Sequence, residues 1–342
     1  MTSPAPFKPY KYAARLNSFK TSEPVAGTAP VSLPAVLGLL SRAAKVPGLN
    51  AVDLNYPDHL AGVDVREMKK HLDGLGLSVN GFAMRYYSDP GFRIGAFTNP
   101  DTRLRRLAIE QTKRGIDQML ELGGSLMTLW MGQDGFDYSF QADYARLWDQ
   151  TLDAISEVAD HMPSCEVSIE YKPNEPRSFA LMPDIGTTLL AIAEMGRKNV
   201  GVTIDFAHVL YADEMPAYAV ALAARSSKLF GVHLNDGYAK RDDGLMVGTV
   251  HPVQTMELIY VLEEIKYDRP IYFDTFPDTT GLDPVAECSA NIATVEAMRT
   301  VVRKLQADNR LKTAIAGQDA VTSNNVVREA FYGGRITDTA GT

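Results

Sequence analysis

Apolar and polar positions along this chain follow two alternating periods. Short apolar and β-branched runs, each of strand length, recur at 10–18, 51–56, 77–84, 125–131, 166–171, 200–205, 229–235 and 270–275. Between them the spacing lengthens to that of amphipathic helices. Residues 33–44 place Leu37, Leu40 and Ala44 on one face, and 101–122 carry a stripe of Leu104, Leu107, Ala108, Met119 and Leu122, widened by Ile109 and Ile116. That second segment has a start signal in Asn99-Pro100-Asp101 and a stop in Gly123-Gly124. Further helical segments are expected at 144–161, 186–196, 216–225, 253–265 and, after the last strand, 288–305.

Eightfold strand–helix alternation predicts a (β/α)8 TIM barrel over residues 1–305, with a C-terminal extension at 306–342. The alternative, a doubly wound open sheet, loses ground because no Gly-x-Gly-x-x-Gly follows the first strand. In the extension, 319–331 is expected to be helical and 333–342 a polar, fraying end.

The barrel prediction gives meaning to four strand ends. Cys165-Glu-Val-Ser-Ile-Glu170, Val202-Thr-Ile-Asp205, Phe230-Gly-Val-His233 and Ile271-Tyr-Phe-Asp274 each close on a residue able to ligate a metal. In a parallel barrel all four ends open on one face, so Glu170, Asp205, His233 and Asp274 should converge. Three carboxylates and one imidazole suit Mn²⁺, with Mg²⁺ or Co²⁺ as alternatives, better than Zn²⁺. Singly, each residue has a structural explanation, such as an Asp capping a helix or a hydrogen-bonded core His. Four at matched positions favour a metal site.

Lys172 follows Glu170 by two residues, so both point to one side of an extended strand. It is expected to neutralise the acidic cluster or to hold a substrate oxygen as its charge changes, against the plainer reading of an ion pair with Glu170 or Glu175. His208 and the Asp242-Asp243 pair are candidates for a second cation site. Trp130 has two equal readings, the apolar wall of a sugar pocket or a core residue. Asn55, Tyr56 and Arg85, at the ends of the second and third runs, are weaker substrate-contact candidates. His251 before Pro252 reads as structural, and His59, His71 and His161 receive no role.

Composition narrows the partners. A net charge of −8 argues against a phosphate-backbone binder. Two cysteines, Cys165 and Cys288, suit a reducing compartment. The polar stretch 1–12 lacks a signal-like apolar core, and no run reaches the length of a membrane span. The expectation is a cytoplasmic protein that binds neither nucleic acid nor membrane.

Ile169-Glu-Tyr-Lys-Pro-Asn-Glu-Pro176, with Val202-Thr-Ile-Asp-Phe-Ala-His208, Gly231-Val-His-Leu-Asn-Asp236, Asp242-Asp-Gly-Leu-Met-Val-Gly248 and Phe273-Asp274, resembles the xylose-isomerase-like TIM barrels, and most nearly their L-rhamnose isomerase branch. The resemblance covers roughly residues 10 to 305. It implies that Glu170, Asp205, His233 and Asp274 hold a structural metal. It also implies that His208 and Asp242 serve a catalytic one, and that Lys172 binds the terminal substrate oxygen. Trp130, Asn55, Lys172 and His208 would face the sugar, and Glu170, Lys172 and Asp274 would share the catalytic work. The implied reaction is aldose–ketose isomerisation by a metal-assisted hydride shift in a dimer or tetramer.

Two departures stand out. The family often has Asp-x-Asp where this chain has Asp242-Asp243-Gly244, and a histidine near the second strand end where it has Asn55-Tyr56. Related barrels leave three alternatives: a ketose 3-epimerase, a partner-dependent enzyme that cleaves glycosides by elimination, and a non-catalytic sugar-binding barrel. Asp274 in place of a final glutamate favours the isomerase over the epimerase. DNA-repair nucleases of this fold use a histidine-rich three-zinc site, which six histidines and a charge of −8 disfavour. A phosphate group would need basic residues after the last two strands, where only Lys240 and Arg241 are near, so an unphosphorylated sugar is expected.

Overall fold

The computed structural model describes residues 8–21 and 33–333. The expectations for residues 1–7 and for the end at 334–342 lie outside the described residues. Among the described residues eight parallel strands close into a barrel. They are β1 (Tyr12–Arg15), β2 (Leu49–Tyr56), β3 (Ser78–Met84), β4 (Leu126–Leu129), β5 (Glu166–Glu170), β6 (Val200–Asp205), β7 (Leu229–Leu234) and β8 (Ile271–Phe273). Each lies beside its neighbour in sequence, and β8 returns to β1. The helices α1 (Leu33–Ala43), α2 (Val65–Leu75), α3 (Thr102–Glu121), α4 (Tyr144–His161), α5 (Ile185–Met195), α6 (Pro216–Arg225), α7 (Pro252–Glu264) and α8 (Pro284–Ala307) follow the strands in turn. No helix of the described residues is long and apolar enough to cross a membrane.

All eight predicted runs contain a strand, but several strands are shorter. The run 10–18 pairs only over Tyr12–Arg15 and then tightens into a 3-10 turn at Leu16–Phe19, whose apolar residues are buried all the same. Burial continues past the ladder, so an apolar run does not mark where pairing stops. The α3 stripe also shifts. Ala108, Ile109, Ile116 and Met119 are buried, whereas Leu107 is 41% exposed and lies off the packed face. The helix starts where Asp101 accepts a hydrogen bond from the Arg103 amide at 2.8 Å. Helix α2 was implied by the alternation but not delimited; Met68 and Leu72 of it are buried, with Val65 and Leu75 packed against the core. Its caps are ordinary: Asp64 accepts from the Arg66 and Glu67 amides, and Gly76 takes the left-handed conformation at φ +68°.

Beyond α8 the chain forms α9 (Asn309–Ala316) and α10 (Ala320–Tyr332). Leu311 and Val326 join the main apolar cluster, so this part of the extension packs against the barrel's helical layer.

Alternation along the strands sorts the side chains. Val52 and Leu54 of β2 belong to the cluster between sheet and helices, whereas Ala13, Ala51 and Tyr272 form a separate small cluster. Below the site the interior is tightly filled. Ser168 and Thr203 share a 2.6 Å hydrogen bond, and a Cβ on Gly231 would come within 2.5 Å of Thr203 Oγ1. That close approach requires glycine.

His59, given no role from sequence, is structural. It is 1% exposed, its Nδ1 accepts from the Asn55 amide at 3.0 Å, and its Nε2–H donates to Asn17 Oδ1 at 2.9 Å. Burial, helped by Arg85, Lys20 and Arg15, pushes its pKa down to about 3. The ring is therefore neutral when folded but takes a proton near pH 6.5 when unfolded. The unfolded state binds the extra proton, so this contribution to stability falls as pH drops below about 6.5. The stability advantage of wild type over His59→Gln is expected to shrink by about 2 kcal/mol between pH 7 and pH 5. Urea titrations of both proteins at the two pH values check this, and an unchanged difference would refute a neutral buried His59.

Candidate metal centre and catalytic cavity

The strand ends deliver their side chains as the sequence implied, with small offsets. Glu170 and Asp205 are the last residues of β5 and β6, His233 is the penultimate residue of β7, and Asp274 follows β8 directly. Register aligns Asp205 with His233, and His233 with Tyr272. The Asp274 amide donates to the Leu234 carbonyl at 3.2 Å, which continues the ladder one residue beyond the strand. Ligand atoms of Glu170, Asp205, His233 and Asp274 all lie within 4.8 Å of one another.

Support comes from below and beside. Asp205 Oδ1 accepts from the His208 amide at 3.0 Å, capping the short helix Phe206–Tyr211. Asn235 Nδ2 donates to Asp205 Oδ2 at 3.0 Å and to the Asp274 carbonyl at 3.1 Å, while its Oδ1 accepts from the Ala207 amide. His233 lies against Tyr272, ring centroids 4.1 Å apart.

The electrostatics show a crowded acidic cluster with protons to spare. Burial and the charges of Glu170 and Asp205 push the Asp274 carboxyl up to about 7, against the pull of Arg15. Burial also raises Asp205, and the charges of Asp242 and Glu170 add to the rise. For Glu170, burial is outweighed by His233 and His208, which leave it below its usual range. Burial alone would lower His233, but Glu170 raises it to about 9. His233 Nδ1 lies 3.4 Å from Glu170 Oε1. Yet His233 Nδ1 and Asp274 Oδ1 are buried with no hydrogen-bond partner. Orphaned polar atoms facing one another across a set of hard and borderline donors fit a divalent cation.

His208 and Asp242 meet beside this cluster. His208 Nε2 lies 3.1 Å from Asp242 Oδ2, and its Nδ1 lies 3.1 Å from the Tyr171 carbonyl. Burial opposes charge on His208, but Asp205 and Asp242 hold its pKa up near 10. Asp242 Oδ1 is buried without a partner. Asp243 turns away, accepting from the Tyr238 amide and from Arg241 Nε, both at 2.8 Å. Lys172 is 7% exposed and reaches Glu175 Oε2 at 2.8 Å and Asp242 Oδ2 at 3.3 Å. Of its two anticipated ion-pair partners the structure brings up Glu175. Burial disfavours the ammonium, yet Asp242 and Glu175 raise its pKa above the usual value. Its Nζ stands 5.5 Å from the Trp130 ring centroid.

These residues face a cavity of about 200 Å³. Glu170, Lys172, His208, His233, Asp242 and Asp274 line one side, and Trp130 closes the wall beside Lys172. Asp205 sits behind them, fully buried. Asn55 is 3% exposed and is not on the cavity wall; its Nδ2 is buried without a partner. Tyr56 lies against Gly115 of α3, so the end of β2 contributes neither expected contact.

The cavity has further walls that the sequence reading did not name: Arg15, Asp53, Thr128 and Tyr272. Asp53 is 2% exposed, accepts from Asn80 Nδ2 at 2.8 Å, and is pushed up to about 6 by burial. The signal for it was a charged residue inside the apolar run of β2, on the same parity as Ala51. Among the expected structural histidines, His251 holds Asp236 Oδ1 at 2.9 Å at the start of α7.

A family profile described as xylose isomerase-like TIM barrel matches residues 40–299. The xylose isomerase of Thermus thermophilus is 32% identical over 216 residues, which are 61% of this chain and 56% of that enzyme. This chain thus aligns with little more than half of that relative. Among solved structures, an L-ribulose 3-epimerase superposes with TM-score 0.67 at 18% identity, over 86% of this chain and 96% of that one. A D-allulose 3-epimerase from Methylomonas sp. gives TM-score 0.65 at 16% identity, over 85% and 98%. At those identities the structural likeness speaks for the fold alone.

Proposed function

We propose, from the premise that this chain belongs to the xylose isomerase-like TIM-barrel family, that its barrel interconverts an aldose and a ketose with the help of a divalent cation, Mn²⁺ for preference. The observation that carries this reading is the convergence of Glu170, Asp205, His233 and Asp274 beside a buried Lys172. These four residues would hold the cation, and His208 with Asp242 would serve a second one. When bound, the cation supplies Lewis-acid polarisation to adjacent sugar oxygens and so assists hydrogen transfer between C1 and C2.

The chain's own residues supply the rest. Lys172 stays protonated across the neutral range, and its third N–H is available to a sugar oxygen while Glu175 and Asp242 orient the other two. A water held by Asp274, whose Oδ1 is buried without a hydrogen-bond partner, would shuttle the hydroxyl proton. The Trp130 ring gives the carbon chain an apolar wall, and its buried, unpartnered Nε1 offers a donor to a hydroxyl.

A 3-epimerase is the second reading. Glu170 and Asp274 both line the cavity, as an acid–base pair working on two faces of a ketose requires. Asp274 is one methylene shorter than the glutamate such a pair uses, which favours isomerisation. Metal analysis followed by proton NMR of free aldoses and ketoses in D₂O with Mn²⁺ separates the readings. Aldose–ketose conversion without deuterium uptake is expected. Deuterium at C3 of a ketose would replace the isomerase by the epimerase, and sugar binding without turnover would leave a binding barrel.

A further inference from the structure

The cavity wall built by the first four strands carries two arginines beside Asp53. Arg15 at the end of β1 and Arg85 just after β3 both line it. Arg15 is committed, with Nη1 2.9 Å from Asp278 and Nε 3.7 Å from Asp274 Oδ1. Among the described residues, Arg85 has no carboxylate within ion-pairing distance. Its Nε is buried without a hydrogen-bond partner, and its guanidinium carbon stands 5.2 Å from the Tyr87 ring centroid. An enclosed guanidinium facing a cavity with its fork unfilled is a receptor for a planar or tetrahedral oxyanion.

Lys20, just beyond the turn after β1, also makes no ion pair among the described residues, but it is exposed and is not on the cavity wall. Its pKa is lowered by partial desolvation and by Arg15 and Arg85, only partly offset by Asp278 and Asp58. Asp58 itself accepts from Ser88 Oγ at 3.0 Å. By contrast, the basic residues after β7 do not reach inward. Arg241 is spent on Asp243, and both Lys240 and Arg241 are exposed. Basic residues after β7 thus lead away from the cavity, whereas the uncommitted Arg85 stands on the wall after β3.

We infer that the substrate is a sugar bearing an anionic group, a carboxylate or a phosphate, at the end remote from the acidic cluster, and that Arg85 receives that group. The inference rests on the sugar reading above. One end of the carbon chain lies at the candidate metal centre, and the other meets Arg85 across the cavity. The anion completes the fork of Arg85, and Arg15 on the same wall adds attraction.

Calorimetric titration of the Mn²⁺-loaded protein with sorbitol, gluconate and sorbitol 6-phosphate tests this. At least one of the two anionic polyols is expected to bind about tenfold or more tighter than sorbitol, and in Arg85→Met the ratio of anion to sorbitol affinity is expected to fall to about one. Which anion gains identifies carboxylate or phosphate. Sorbitol binding as tightly as both anions overturns the inference and leaves the sugar reading intact. An anion preference that survives in Arg85→Met also overturns it, since the carboxylate or phosphate would then be held at the metal. Failure of all three to bind refutes the inference together with the sugar reading.

Discussion

Asp205→Asn is expected to empty the metal centre without unfolding the barrel. The substitution keeps side-chain volume and retains an oxygen that can accept from the His208 amide, so the cap on Phe206–Tyr211 survives. It removes one negative charge from the four-residue cluster and puts an amide against Asn235 Nδ2. Loss of supporting groups alone typically costs 10–100-fold in metal affinity, so loss of a ligand charge should cost on the order of 100-fold or more. Turnover should fall with it. In EDTA the variant should be the more stable form, by roughly 1 kcal/mol, because a buried like charge has been removed. Metal content after gel filtration, a Mn²⁺ titration and thermal melts in EDTA read these three effects. Full metal retention with normal turnover would remove Asp205 from the site and, with it, the four-ligand assignment.

Lys172→Met separates chemistry from metal holding. Methionine keeps the unbranched stem that packs beside Trp130 but removes the ammonium from Glu175 and Asp242. The four converging ligands are untouched, so metal content should stay at the wild-type level. The oxygen that changes charge loses its donor, and kcat should fall by about 100- to 1,000-fold with a much smaller change in KM. Asp242 loses one of the two cations that hold its carboxyl well below the usual range, so its pKa should rise. A retained kcat would reduce Lys172 to a structural partner of Glu175 and Asp242.

Much of this molecule was legible in the sequence because the barrel imposes one rule eight times. Each strand must be short, apolar and followed by a helix, and seven of the eight strands fall inside their predicted runs, β2 starting two residues early at Leu49. The four converging residues followed from that rule, since parallel closure brings every C-terminal end to one face. What stayed hidden depends on pairing and parity. The run 10–18 gave no sign that the ladder stops at Arg15, and so Arg15 passed for a strand interior rather than a cavity wall. Asn55 was chosen for lying near a strand end, but it is enclosed short of the cavity, while Asp53, two residues earlier, reaches it. Helix α2 was implied only by the alternation, although Val65, Met68, Leu72 and Leu75 recur at helical spacing and pack on the core. Helix α9 was missed because it buries only Leu311 and Ala314.

The order of strands around the barrel divides labour between two half-circles. Glu170, Asp205, His233 and Asp274 come from consecutive strands β5 to β8, whereas Arg15, Asp53, Arg85, Thr128 and Trp130 come from β1 to β4 and the segments just after them. Side-chain contacts join the halves at both seams: Arg15 with Asp274, Asp278 and Phe276 at one, and Lys172 over Trp130 at the other. Selection for a new substrate therefore has an address. On the proposed reading, variation confined to the first half-circle, sparing Arg15 and Trp130, would retune what enters and leave the four converging ligands as they stand, whereas variation in the second half-circle would change whether anything reacts at all.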